Sequence, residues 1–164
     1  MSGLPAEEDL HLDFMRRAVA NGREGMHAGR GGPFGALVVK RGVIVAESSN
    51  CVTSAIDPTA HAEVMAIRKA CQELETFILK DCTLYTSCEP CPMCLGAIYW
   101  ARLDRVFFAA FHSDAAKANF DDSLIYSELD KKPADRKIPM KQMLRAEGVA
   151  LFNEWIRMDD KTVY

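Results

Sequence analysis

Apolar residues at the start of the chain recur with a helical period. Leu10, Phe14 and Ala18 lie four residues apart, and Val19 follows Ala18 directly. This spacing predicts an amphipathic helix that ends at about residue 25. The stretch that follows, GMHAGRGGPFG, is so rich in glycine that it predicts a loop.

Two short apolar runs come next, and they predict a pair of strands. Residues 36–40 and 43–48 flank the dipeptide Arg41-Gly42, and this arrangement predicts a β-hairpin with a two-residue turn. The loop NCVTSAIDPTA follows the hairpin. Thr59, near its end, is a candidate N-cap for a helix over residues 61–74.

The middle of the chain continues the alternation of strands and helices. It predicts a strand over residues 83–86 and a helix that opens near Cys91 with Pro92 in its first turn. Residues 105–110 form a continuous apolar run, which predicts a buried strand.

The last fifty residues carry weaker signals. A helical segment from Asp114, a polar stretch over residues 128–137, a short strand over 138–144 and a final helix over 149–158 are predicted in that order. Strands alternating with helices predict an α/β fold. A length of 164 residues predicts a single domain over residues 1–164.

Composition and charge narrow the class of protein. Apolar residues make up 49% of the chain and charged residues 26%, as in soluble globular proteins. The start, MSGLPAEEDL, lacks the pattern of a secretory signal, and the longest apolar stretches are too short to span a bilayer. We therefore expect a cytoplasmic protein with reduced cysteines. The formal net charge of −3 argues against a nucleic-acid partner and no feature indicates a membrane partner.

The run TSCEPCPMC places three cysteines at regular spacing and allows several kinds of site. An iron–sulfur cluster of the ferredoxin type needs a fourth cysteine where Ile98 stands, and no cysteine follows Cys94. A redox dithiol needs only Cys91 and Cys94. That interpretation leaves the upstream triplet His61-Ala62-Glu63 unexplained.

A catalytic zinc site accounts for both motifs. The order H-x-E followed by P-C-x-x-C is the pattern of zinc deaminases. His61, Cys91 and Cys94 supply three ligands and leave the fourth tetrahedral position for water, whereas a structural site would close it with a ligand such as Cys88. Glu63 is then free to shuttle protons. Cys88 is predicted to be a small residue in the turn before the helix, outside the metal site.

Longer stretches extend these motifs into a family resemblance. GGPFGALVVK, DPTAHAEVMAIRKAC, LYTSCEPCPMCLGAIYWAR, HSDAAKANFDDS and the terminal FNEW…Y resemble the cytidine deaminase superfamily, and within it the bacterial enzymes that act on guanine. The resemblance covers nearly the whole chain, from about Phe14 to Tyr164.

The resemblance implies a fold, an assembly and a set of site residues. It implies a three-layer α/β/α fold with a five-stranded mixed sheet, and a homodimer that exchanges its C-terminal segment, residues 149–164. It implies one Zn²⁺ per chain on His61, Cys91 and Cys94, with Glu63 as the catalytic proton shuttle. The implied substrate-binding residues are Phe34, Asn50, Ala62, Trp100, Asp122 and Tyr164.

The implied reaction is the hydrolysis of guanine to xanthine and ammonia in purine catabolism. Guanine presents N1–H and a 2-amino group as donors, which suits a carboxylate acceptor such as Asp122. Without the resemblance, the alternative for Asp122 is a helix cap or a surface carboxylate. The alternatives are a tRNA adenosine deaminase, a deaminase of cytosine, guanosine or a triazine, and a non-enzymatic zinc module.

Overall fold

A computed structural model describes residues 7–164, and these divide into two compact units. One unit ends at Asp122 and the other comprises Ser123–Tyr164. The division does not test the prediction of a single deaminase domain, which stays a prediction. No helix among the described residues is long and apolar enough to cross a membrane.

The first unit contains five helices and four strands among its described residues. Their bounds are α1 Glu7–His27, β1 Gly35–Lys40, β2 Val43–Ser49, α2 Val52–Ala55, α3 Ala62–Glu73, β3 Cys82–Cys88, α4 Pro92–Trp100, β4 Arg105–Ala110 and α5 His112–Lys117. The strands form one sheet in the order β2-β1-β3-β4. β1 runs antiparallel to β2 and β3, whereas β3 and β4 are parallel, so the sheet is mixed.

Alternation along the central strands divides the unit into layers. Leu37 and Tyr85 lie in an apolar cluster with residues of α1, including Ala18. The next positions in register, such as Val38 and Leu84, pack in a second cluster with residues of α3 and α4. Because successive side chains of a strand point to opposite faces, α1 covers one face of the sheet and α3 with α4 the other.

The hairpin prediction is confirmed in its turn geometry. Arg41 and Gly42 both have positive φ angles, of 50° and 78°. Two residues with positive φ form the turn whose twist matches that of the flanking strands. The turn therefore sets the register in which Lys40 pairs with Val43.

The Thr59 cap prediction is wrong. The N-cap residue of α3 is His61. Thr59 instead donates its backbone N–H and its hydroxyl to Asp57 Oδ1, at 2.8 and 2.7 Å. This local turn competes with capping, because short polar side chains readily bond to nearby backbone. The predicted loop before it also contains the short helix α2.

The prediction of a buried strand over residues 105–110 is half right. β4 is a strand, but it lies at the edge of the sheet and its side chains are exposed or half-buried. Phe108, for example, is 39% exposed. A continuous apolar run does not distinguish a strand covered on both faces from an edge strand.

The second unit contains helix α6 Ser123–Leu129, a single 3-10 turn at Pro133–Asp135 and helix α7 Arg145–Arg157. The predicted strand over residues 138–144 is not formed, and the described sheet has four strands where five were expected. Pro139 lies within that segment and has no N–H to contribute to a ladder. The final helix begins four residues earlier than the predicted start at 149.

Candidate active site

Two strand-to-helix connections place the metal-ligand candidates. The loop after β2 leads to His61, which is the N-cap residue of α3, and the loop after β3 leads to Cys91, the N-cap residue of α4. Neither side chain makes a capping hydrogen bond to its own helix. Both side chains are therefore available to face each other across the two helix N-termini.

The ligand atoms of His61, Cys91 and Cys94 form a compact triangle. His61 Nδ1 lies 3.6 Å from Cys91 Sγ and 3.5 Å from Cys94 Sγ, and all three atoms lie within 4.8 Å of one another. Tetrahedral zinc with Zn–S of about 2.3 Å and Zn–N of about 2.0 Å requires N···S separations of about 3.5 Å. The donor set and its spacing fit zinc.

The two thiols differ in their readiness to ionise. Hydrogen bonds from Cys94 and His61 and the N-terminus of α4 stabilise a thiolate at Cys91, whose pKa is lowered to about 4. Donation to Cys91, together with burial, raises the pKa of Cys94. A bound metal displaces the remaining proton, because a coordinating thiol is deprotonated outright.

Cys88 lies outside this triangle of ligand atoms. It is the last residue of β3, not a turn residue as predicted, and it is buried. Its thiol donates to the carbonyl of Phe111 at 3.7 Å, and burial raises its pKa to about 11. Among the described residues the metal group contains three members, so zinc bound there would have its fourth tetrahedral position left for water.

Glu63 is a buried carboxyl group directed at the metal group. It is 5% exposed, and burial raises its pKa. Its Oε1 accepts a hydrogen bond from the Thr86 hydroxyl at 3.2 Å, and its Oε2 lies 3.6 Å from Cys94 Sγ. A carboxyl group beside a bound zinc would be placed to accept a proton and to return it, and its raised pKa favours the return.

Asn50 joins the glycine-rich loop to the site. Its Oδ1 accepts hydrogen bonds from the backbone N–H groups of Gly32 and Val52, at 3.2 and 3.1 Å. The carbonyl oxygen is thereby occupied, which leaves the amide NH₂ to donate to a ligand. A Cβ at Gly31 would overlap Asn50 Oδ1 and backbone, which explains why a glycine stands there.

Asp122 carries an acceptor that lacks a protein donor. Its Oδ1 is buried and has no hydrogen-bond partner among the described residues, and burial raises the pKa of the carboxyl. His112 Nδ1 is 3.7 Å away, which is too long for a hydrogen bond. Sequence reasoning assigned no role to His112. An orphaned buried acceptor requires an explanation, and a ligand donor is one.

The remaining predicted residues occupy different places. Phe34 is half-buried and meets Phe120 edge-on, with ring centroids 4.9 Å apart, and Ala62 is fully buried between His61 and Glu63. Trp100 is 65% exposed at the opposite end of α4 from Cys91. Tyr164, in the second unit, is 71% exposed.

Comparison with known proteins first defines the class. The model of the family described as the cytidine and deoxycytidylate deaminase zinc-binding region matches residues 8–110. The chain belongs to this family of zinc deaminases. The zinc prediction is therefore confirmed, as is the prediction of an α/β cytidine deaminase-like fold with a mixed sheet.

Individual relatives show which deaminases the chain resembles within this family. The chain is 57% identical to guanine deaminase of Bacillus subtilis (strain 168) over 154 residues, which is 94% of this chain and 99% of that protein. The X-ray structure of guanine deaminase from Bacillus subtilis superimposes with a TM-score of 0.92 over 94% of this chain and 98% of that one. A tRNA-specific adenosine deaminase of Aquifex aeolicus (strain VF5) is 34% identical over 76% of this chain and 80% of its own length.

Proposed function

We propose that the protein hydrolyses guanine to xanthine and ammonia in purine catabolism. The observation that carries the proposal is the 57% identity to a guanine deaminase over 94% of this chain and 99% of the relative. The tRNA-specific relative matches 76% of this chain at 34% identity. The higher identity and coverage favour guanine deamination over tRNA adenosine deamination.

The polar groups of the site complement the edges of guanine. N1–H and the 2-amino group are donors, and Asp122 Oδ1 is a buried acceptor without a protein donor. O6 and N7 are acceptors, and Asn50 has its amide NH₂ left to donate because its Oδ1 is occupied by backbone. Phe34 offers an apolar surface for the ring, and Ala62 contributes backbone beside Glu63. Trp100 is proposed as a residue of the substrate pocket on the family resemblance alone.

The reaction needs a nucleophile and a carrier of protons. Zinc held by His61, Cys91 and Cys94 would acidify a water molecule so that it can attack C2 at neutral pH. Glu63 accepts one proton from the attacking water and delivers it to ring N3. It then accepts the second proton from the hydroxyl group now on C2 and delivers it to the departing amine. Water and guanine thus become xanthine and ammonia. The raised pKa of Glu63 favours both deliveries.

The proposal includes a homodimer that exchanges residues 149–164. Helix α7 supports it, because Leu151, Phe152 and Ile156 are 68%, 70% and 66% exposed in the isolated chain. Large exposed apolar patches mark interaction surfaces. The outer edge of β4 has no strand beside it among the described residues, so a partner could supply the fifth strand. A cytoplasmic location is proposed with it.

A substrate panel tests the activity. Guanine, guanosine, cytosine, an amino-triazine and tRNA are assayed for ammonia release, with Glu63→Gln as the matched inactive control. We expect rapid turnover of guanine and a loss of at least about 10²-fold in the control, the low end of general acid–base catalysis. Preference for tRNA or a pyrimidine would overturn the substrate, and a Glu63→Gln enzyme within tenfold of wild type would overturn the proton shuttle.

A complementation experiment tests the exchanged segment. Deleting residues 159–164, which include Tyr164, should leave a folded zinc protein with little guanine turnover. Mixing it with Glu63→Gln under conditions of subunit exchange should restore part of the activity, because a hybrid dimer pairs one intact Glu63 with one intact C-terminal end. Normal activity of the truncated chain, or mixing that restores nothing, contradicts the shared site.

A further inference from the structure

The two oxygens of the Glu63 carboxylate lie in different surroundings. Oε1 accepts a hydrogen bond from Thr86 Oγ1 at 3.2 Å, whereas Oε2 lies 3.6 Å from the sulfur of Cys94. Oε2 is thus the oxygen that faces the metal group. Oε1 is held on the side of the sheet.

The position of Thr86 is tightly determined. It lies near the end of β3, paired with Ala36 on one side and Phe108 on the other, and it has no solvent exposure. Its β-branched side chain has few allowed rotamers. A hydroxyl held between two ladders is a rigid anchor, since neither its backbone nor its rotamer can adjust freely.

The surroundings of Thr86 do not otherwise call for a hydroxyl. The same face of the sheet carries Ala36, Val38 and Leu84 in an apolar cluster, where valine would fill the same space. Burying a hydroxyl is unfavourable unless it is hydrogen-bonded. Its partner here is Glu63, so the hydroxyl is explained by the carboxylate it contacts.

The two contacts differ in what they belong to. The neighbour of Oε2 is the sulfur of Cys94, which is a member of the metal group. Among the side-chain contacts described above, Thr86 is therefore the one that holds Glu63 from outside the metal group.

We propose that Thr86 is a positioning residue that anchors Oε1 of Glu63 and so keeps Oε2 directed at the reacting water and amine. The proposal rests on the proposed deaminase function, although not on which amine is the substrate. Thr86 is not a member of the metal group, and its hydroxyl contacts Glu63. Its effect reaches the reaction through the orientation of Glu63.

Two substitutions separate the hydroxyl from the packing. Thr86→Val removes the hydroxyl and keeps the shape, so we expect kcat to fall by about 10- to 100-fold, the scale of misplacing a catalytic group. KM and zinc content should stay within about threefold, since Thr86 is not a member of the metal group and its described side-chain contact is with Glu63. Thr86→Ser keeps the hydroxyl and loses a methyl group, and it should retain most of kcat.

A stability cycle provides a readout that needs no turnover. Thr86→Val is measured by denaturant unfolding of the zinc-loaded protein, in the wild-type background and in Glu63→Ala. In the wild-type background, Thr86→Val leaves a buried carboxylate oxygen without its hydroxyl donor, so the denaturant midpoint of unfolding should fall clearly. In the Glu63→Ala background that carboxylate is absent, so Thr86→Val should lower the midpoint little. Non-additive effects of this kind report direct coupling.

The outcomes decide the proposal. Wild-type kcat in Thr86→Val, equal losses in Thr86→Val and Thr86→Ser, or additive effects in the cycle would each overturn it. If Thr86→Val does not fold, Thr86→Ala compared with Thr86→Ser carries the same test. If guanine is not the substrate, kcat is measured on the amine found by the panel and the stability cycle is unchanged, so the two proposals can fail separately.

Discussion

Replacing Asn50 separates its contribution to stability from its contribution to substrate binding. Asn50 is 6% exposed, and its Oδ1 accepts the backbone N–H groups of Gly32 and Val52. Asn50→Ala leaves both donors without a partner, at about 1–3 kcal/mol each. The expected loss is therefore about 2–6 kcal/mol of unfolding free energy, a large fraction of the roughly 5–15 kcal/mol typical of a domain.

Asn50→Asp is the informative second variant. It keeps an oxygen in place of Oδ1, so both backbone bonds can form and most of the stability should return. It removes the amide donor, and it sets an acceptor against the acceptor edge of guanine. We expect kcat/KM for guanine to fall by about 10- to 100-fold, as when a substrate acceptor is left unpaired. Asn50→Ala also removes the amide donor, so its kcat/KM for guanine should fall by a similar factor.

The assays are denaturant unfolding and ammonia release, with Thr53→Val as the control. Thr53 lies in the same region and donates to the carbonyl of Arg30 at 3.0 Å from an exposed position, so its loss should change either quantity little. Asn50→Ala with wild-type stability would refute the anchoring role. Asn50→Asp with wild-type kcat/KM would refute the role of the amide as donor.

Three further predictions follow from single side chains. Cys94→Ala should lose zinc in a metal-content assay, because only two of the three ligands remain. Cys88→Ala should keep its zinc, and the opposite pair of results would reverse the ligand assignment. Asp122→Asn should lower kcat/KM for guanine by about 10²-fold with a nearly unchanged unfolding midpoint, since it replaces an acceptor by donors; unimpaired turnover contradicts the purine contact. Arg17 holds the pKa of Glu47 below its usual range, so the pair stabilises the fold above about pH 4.3 and the gain is lost as pH falls through the lowered pKa. Glu47→Gln should remove that pH-dependent part of stability, at most about 1 kcal/mol because Glu47 is partly exposed, and unchanged acid-unfolding curves would contradict it.

Local patterns made much of the first unit predictable. The Arg41-Gly42 turn and the Pro92 helix start depend on backbone preferences of the residues themselves. The metal group could be predicted from the sequence for a similar reason. His61 and Cys91 each stand directly before a helix, and a short motif is enough to locate such a position.

What could not be predicted depends on contacts between distant segments. Thr86 and Glu63 are separated by 23 residues, and their hydrogen bond depends on how α3 lies over the sheet, which no local pattern encodes. β4 is exposed because it lies at the edge of the sheet. An apolar run such as that of β4 predicts a strand, but it does not tell an edge strand from a central one. Residues 138–144 are rich in apolar side chains, but a strand forms only where a neighbouring strand can receive its hydrogen bonds.

The N-caps of α3 and α4 show how function constrains the evolution of this chain. His61 and Cys91 occupy positions where serine, threonine, aspartate or asparagine would each stabilise the helix by about 1 kcal/mol. Neither ligand caps its helix, so the site leaves that stability unrealised in two places at once. A descendant released from selection for deamination could gain it by single substitutions at these residues, whereas an active lineage cannot. Sequence drift at positions 61 and 91 towards capping residues would therefore mark a relative that has kept the fold and lost the chemistry.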